Sequence, residues 1–165
     1  MLSIPEKIKH KILNEETLSR QLHIWKLQDK KIVFTNGCFD ILHPGHIDYL
    51  SKASGLGGIL IVGLNSDRSV KNIKGPTRPI FDETSRIILL ASLSFVNAVI
   101  IFDAPTPYEL IKFIKPQFLV KGADYTPEEI SGSDIVTSSG GKVITFDLVP
   151  GFSTSMIEKK IVSNR

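Results

Sequence analysis

Five short apolar runs recur along the chain, each separated from the next by a stretch with helical periodicity, and this alternation limits the fold more than any other feature. The runs are Lys31–Thr35, Ile59–Leu64, Ala98–Phe102, Phe118–Lys121 and Lys142–Asp147. Strands buried on both faces read as short continuous apolar runs, and strands joined through helices must lie parallel. Asn14 can cap a helix over residues 15–28, with Leu18, Leu22 and Trp25 on one face. Further helices are expected over Ile47–Ser54, over Arg86–Leu93 behind a cap at Asp82 or Thr84, over Pro107–Ile114, near Asp134–Ser138 and over Thr154–Ile161. Asn65–Pro79 is polar and contains Gly75-Pro76, and reads as a loop. The expectation is an α/β fold: an open, mainly five-stranded parallel sheet with helices on both faces. Ligands of such sheets sit at the carboxyl ends of the strands, where strand order reverses.

Composition narrows the classes. At 165 residues, 42% hydrophobic and 22% charged, the chain suits one globular domain. Residues 1–29 read as a helical extension, packing on the domain or on a partner subunit, ahead of a domain over 30–165. No apolar run approaches a membrane span. Met1–Lys11 has lysines but no apolar stretch after them, so no secretory signal is expected and a cytoplasmic protein is. The single cysteine, Cys38, excludes an intrachain disulfide and a cysteine-rich metal site. A net charge of +3 suits an anionic small molecule, and without a long basic run nucleic acid is not expected.

The stretch Asn36–His46 follows the first apolar run and opens an amphipathic segment, so it reads as strand, turn and helix start. His43 and His46 are three apart and lie on one face of a first helical turn. Free N–H groups and the positive end of the helix dipole favour an anion there, and two imidazoles add donors for a phosphoryl group. Zinc is disfavoured because no third ligand stands nearby. Gly37 and Gly45 let backbone approach phosphate, or serve the turn alone. Cys38 reads as a packing residue. Asp40 can orient a histidine, the substrate phosphate or a hydrated metal, or cap N–H groups of its own turn. Ser153, Thr154 and Ser155 open the last helix. Ser155 with Glu158 reads as a capping box, and the same hydroxyls can bind phosphate.

Gly37-Cys38-Phe39-Asp40-Ile41-Leu42-His43-Pro44-Gly45-His46 matches the G-x-F-D-x-x-H-x-G-H signature, and Gly151-Phe152-Ser153-Thr154-Ser155 the C-terminal hydroxyl motif, of cytidylyltransferase-like nucleotidyltransferases. Within that family, Val120–Tyr125, Pro127–Ile130, Gly132-Ser133, Asn65–Asp67, Lys74-Gly75 and Arg78-Pro79 resemble the adenylyltransferase branch of bacterial ADP-heptose synthesis. The resemblance covers Lys31 to Ile161. Residues 146–150 lack the arginine that precedes the hydroxyl motif in the glycerol-phosphate cytidylyltransferase branch.

The resemblance implies a Rossmann-like nucleotidyltransferase fold and one step: heptose 1-phosphate and ATP give ADP-heptose and pyrophosphate, for lipopolysaccharide core or a related surface glycan. It implies catalytic roles for His43, His46, Lys74, Ser153 and Thr154, and nucleotide contacts from Gly37, Cys38, Phe39, Gly45, Arg78, Lys121 and Ser155. Asp40, Arg86, Asp124 and Tyr125 would face the sugar phosphate. Arg86 has the alternative of bracing Asp82 or Glu83. Mg²⁺ is expected through the substrate phosphates, with no protein ligand. A homodimer is expected, as is a heptose kinase on a separate polypeptide acting upstream. The alternatives are a cytidylyltransferase for glycerol 3-phosphate, another small-molecule nucleotidyltransferase, or a non-catalytic nucleotide-binding module.

Overall fold

A computed structural model describes residues 4–122, 129–147 and 149–163. Its centre is a sheet of β1 (Ile12–Leu13), β2 (Ile32–Gly37), β3 (Ile59–Asn65), β4 (Ala98–Phe102), β5 (Phe118–Gly122) and β6 (Lys142–Phe146). The order is β1-β4-β3-β2-β5-β6 and each pairing is parallel. The five apolar runs all form strands. The sixth, β1, is two residues long, too short to carry a periodic signal. Its Ile12 pairs with Val99 and Leu13 with Ile100, so part of the 1–29 segment extends the sheet edge.

From β2 the chain builds outward through β3 and β4, then returns to the other side of β2 with β5 and β6. The order therefore reverses between β2 and β5, which opens a crevice at their carboxyl ends.

Alternate residues of each strand feed opposite layers. Val33, Val62 and Val120 pack with Leu50 of α3 (Pro44–Ser54) and with Ile87 and Leu90 of α5 (Glu83–Ser92). Phe34, Ile61 and Leu119 pack with Leu18 of α2 (Glu15–Leu27), Ile111 of α6 (Tyr108–Ile114) and Val136 of α7 (Ser133–Ser138). Each such side chain contributes about 1.5–3 kcal/mol through burial. Gly63 sits inside β3 because a Cβ there would lie 2.8 Å from the Phe34 ring. The Leu18, Leu22 and Trp25 face of α2 packs on this second layer, so it is covered by the chain itself.

Local signals account for the helix starts. Asn14 Oδ1 accepts from the Thr17 amide and Thr17 Oγ1 from the Asn14 amide, both at 2.8 Å, a reciprocal cap on α2. A short helix, α1 (Glu6–Lys9), precedes it. The stretch 65–79 is not a loop throughout: α4 (Asp67–Lys74) occupies most of it. Ser66 Oγ caps α4 by accepting from the Ser69 amide at 3.0 Å, and buried Val70 anchors it. Its two apolar residues, Val70 and Ile73, are three apart, but only Val70 is buried and the segment is too short and polar for that spacing to mark a helix. α3 begins at Pro44, three residues before Ile47, because His43 is its N-cap and proline suits the first helical position. α8 (Thr154–Ser163) is capped by Ser153, whose Oγ accepts from the Met156 amide at 3.1 Å. The Ser155–Glu158 capping box does not form. Ser155 already lies inside the helix, and Glu158 turns to Arg78.

Candidate active site

The crevice at the end of β2 is built by a sharp turn. Phe39 adopts φ 45°, a left-handed backbone that costs a non-glycine residue on the order of 1–2 kcal/mol. The turn buries its ring beside His46, with centroids 5.2 Å apart. A Cβ at Gly37 would lie 3.0 Å from that ring. Across the crevice floor, Tyr49 of α3 donates to the Val120 carbonyl of β5 at 2.8 Å and shares a 2.6 Å bond with Thr35 of β2. One hydroxyl thus fixes α3 to both strands of the switch point.

His43 and His46 stack face to face, centroids 3.8 Å apart and planes 19° from parallel. The pair lies between Phe39 and Phe152, whose ring is 6.5 Å from that of His43. His43 Nδ1 accepts from the His46 amide at 3.4 Å, which leaves its Nε2 as the site of the ring proton. Burial lowers the His43 pKa. Burial also pushes His46 down to about 4, helped by the His43 and Lys74 charges and opposed by the Ile41 backbone. Both imidazoles are therefore neutral near pH 7, each with one N–H to donate. Gly45 keeps the helix end open: a Cβ there would lie 3.1 Å from His43 Nδ1 and 3.2 Å from Phe152 Cβ.

Lys74 ends α4, exposed, and lies near enough for its charge to act on both His46 and Cys38. Burial raises the Cys38 thiol pKa, consistent with a packing residue. Lys121 Nζ donates to the Asn36 carbonyl at 3.2 Å from the neighbouring strand. The Asn36 side-chain oxygen is buried there with no hydrogen-bond partner among the described residues. In the sequence Asn36 is only the residue before the motif; its orphaned acceptor is visible only in three dimensions. Ser153, Thr154 and Ser155 lie at the start of α8, with Phe152 carrying that segment over His43.

Two residues expected at the sugar phosphate, Arg86 and Asp40, are buried and hydrogen-bonded within the protein. Arg86 is 0% exposed. Its Nε donates to the Phe81 carbonyl at 3.0 Å, Nη1 to the Cys38 and Asn65 carbonyls at 2.6 and 2.9 Å, and Nη2 to Asp67 at 2.7 Å. Neither Asp82 nor Glu83 is the partner. Asp40 is 1% exposed. It accepts from the Ile80 and Phe81 amides at 2.7 and 3.1 Å and from Arg78 Nη1 at 2.8 Å. The amides it caps are forty residues away, not in its own turn. Arg78 lies between Asp40 and Glu158, paired with both. Asp124 and Tyr125 lie outside the described residues. Among the described residues no cluster of three or more His, Cys, Asp or Glu could hold a metal ion. No described helix is long and apolar enough to cross a membrane.

A parallel sheet of this order, with a histidine pair at the helix after its central strand, defines a Rossmann-like α/β fold of the nucleotidyltransferase type. A family profile described as cytidylyltransferase-like matches residues 34–160, and the chain belongs to that family. Similar curated proteins carry the name Bifunctional protein HldE. The one from Syntrophotalea carbinolica is 49% identical over 92% of this chain and 31% of its own length. That from Campylobacter jejuni subsp. doylei is 56% identical over 92% of this chain and 31% of its own. The chain thus spans 31% of the length of these relatives. A solved structure, the lipopolysaccharide core biosynthesis protein from Thermoplasma volcanium GSS1, is 30% identical and superposes with a TM-score of 0.59 over 73% of this chain and 97% of that one.

Proposed function

We propose that the chain is an adenylyltransferase that converts heptose 1-phosphate and ATP to ADP-heptose and pyrophosphate, supplying a bacterial surface glycan such as the lipopolysaccharide core. The observation that carries nucleotidyl transfer is the stacked, neutral His43–His46 pair at the start of α3, in the crevice at the switch point. The HldE relatives, 48–56% identical, support the choice of substrate.

In this reading a phosphate oxygen of the sugar phosphate attacks the α-phosphorus of ATP in line. The new P–O bond forms as the bond to the β-phosphate oxygen breaks, and pyrophosphate leaves. No protein nucleophile takes part, so catalysis is alignment and charge stabilisation. His43 and His46 donate to the α-phosphate oxygens. Charge gathering on the phosphorane raises both imidazole pKa values, so the bonds strengthen toward the transition state. Lys74 and Lys121 flank the phosphates. Gly37, Cys38, Phe39 and Gly45 border the nucleotide, with Gly45 leaving the helix amides accessible. Ser153, Thr154 and Ser155 receive the β- and γ-phosphates. Arg86 and Asp40 act beneath the site, by holding its loops.

The described carboxylates nearest the site, Asp40, Asp67 and Glu158, are each paired with arginine and do not form a metal cage. Mg²⁺, if used, would be held by substrate phosphates and water, where it would offset charge on the leaving pyrophosphate. A cytoplasmic site of action, a homodimer and a heptose kinase acting upstream complete the proposal.

The test is product identification by mass spectrometry after incubation with ATP, Mg²⁺ and heptose 1-phosphate. ADP-heptose and pyrophosphate in equal amounts are expected, formed at least ~10²-fold more slowly with His46→Ala. ATP binding without turnover on any sugar phosphate would favour a non-catalytic nucleotide-binding module.

A further inference from the structure

α8 carries three hydroxyls of the candidate site at its start, yet none of its own residues is buried. Met156, Ile161 and Val162 are among its exposed side chains. Such a helix gains little from hydrophobic packing, so its position depends on specific polar contacts. Among the described residues, an ion pair ties α8 to the rest of the domain, from Glu158 to Arg78. Glu158 follows Thr154 by four residues and Ser155 by three, so it lies on the helix face that carries those hydroxyls.

Arg78 does not end there. Its guanidinium is nearly buried, its side chain 12% exposed, and Nη1 donates to Asp40 at 2.8 Å while Nη2 meets Glu158. Asp40, with a fully buried side chain, is held in turn by the Ile80 and Phe81 amides. One planar guanidinium thus bridges a carboxylate of the histidine loop and a carboxylate of α8. A rigid fork suits that task where a flexible lysine does not.

We infer that Glu158 and Arg78 are positioning residues: the Asp40–Arg78–Glu158 chain sets the start of α8 over His43 and His46. The inference rests on the proposed function for its kinetic consequence. If the α8 hydroxyls hold the β- and γ-phosphates, loosening the strut weakens the hold on ATP and spares the sugar phosphate, which in an in-line attack approaches from the side opposite the leaving pyrophosphate. A residue serving stability alone would lower the active fraction, hence kcat, and leave both KM values in place.

The experiment compares wild type with Glu158→Gln, which keeps the shape and removes the charge, and with Glu158→Ala. Kinetics, thermal midpoint and amide hydrogen exchange of residues 153–163 are measured on each. The expected result is a KM for ATP raised about tenfold, a KM for heptose 1-phosphate within twofold, a midpoint unchanged, and α8 exchange about tenfold faster. Unchanged KM for ATP with unchanged α8 exchange overturns the strut, as does a fall in kcat alone. If wild type turns over no substrate pair, the proposed function fails, and exchange decides the strut by itself: faster in Glu158→Gln upholds it, equal overturns it.

Discussion

Arg86→Met removes one guanidinium and keeps most of its volume, and its cost follows from the hydrogen bonds that the guanidinium makes. The Asn65 carbonyl is buried and would be left without its 2.9 Å donor, at a cost of about 1–2 kcal/mol. The Phe81 and Cys38 carbonyls are partly buried and recover some water, so about 1 kcal/mol each is expected. The Asp67 side chain is 31% exposed and rehydrates, which keeps its share near ~1 kcal/mol. The total is about 4 kcal/mol, a large part of the ~5–15 kcal/mol that holds a domain of this kind folded. At ~2–4 °C per kcal/mol, the thermal midpoint should fall by about 8–16 °C. Urea unfolding followed by circular dichroism measures the change directly, with an unchanged m-value as the check that the two-state treatment holds. Arg86→Lys keeps a charge but cannot reach three carbonyls and a carboxylate at once, so about half the destabilisation is expected. A destabilisation below ~1 kcal/mol for the methionine variant would mean that the buried guanidinium does not hold the loops after β2 and β3.

The remaining predictions concern the histidines and Lys74. Because the folded pKa of His46 is about 4 against an ordinary 6.5, the unfolded chain binds the extra proton between those values. Stability from the neutral ring is therefore complete above about pH 6.5 and is lost as pH falls toward about 4, with an upper bound of about 3 kcal/mol. Urea midpoints at pH 7.5, 6 and 4.5, compared between wild type and His46→Gln, would show it; parallel curves for the two proteins would refute it. His46→Ala should lower turnover by at least ~10²-fold with ATP affinity kept within several-fold, as for a contact that strengthens in the transition state. Loss of ATP binding with turnover intact would reverse that assignment. Lys74→Ala should raise the KM for ATP and let the His46 pKa rise, since the lysine charge depresses it. Proton NMR of the imidazole reads the second effect, and no movement there would place Lys74 away from the ring.

The parts of the molecule legible in the sequence are those with local causes. Apolar runs with helical segments between them marked five strands, and Asn14 and Asp82 marked two helix starts that the structure keeps. The histidine pair was legible because its spacing and the turn before it are contiguous. What escaped depends on contacts between distant residues. β1 exists because Ile12 and Leu13 meet β4, and α4 because Val70 finds a buried place. Arg86 and Asp40 look like substrate ligands in a motif, and the partners they also hold, 19–48 and 38–41 residues away, cannot be read from it. The Phe81 carbonyl, five residues from Arg86, is the local exception. Glu158 suggested a cap because its offset from Ser155 fits one; only the path of α8 past Arg78 shows where its charge goes.

The most direct test of the account is kcat/KM for pyrophosphate release, measured with Mg²⁺ while ATP, CTP and GTP are crossed against β-heptose 1-phosphate and glycerol 3-phosphate. Turnover with ATP and heptose 1-phosphate is expected at least ~10²-fold above every other pair. Turnover confined to CTP with glycerol 3-phosphate, or to none of the pairs, would contradict it.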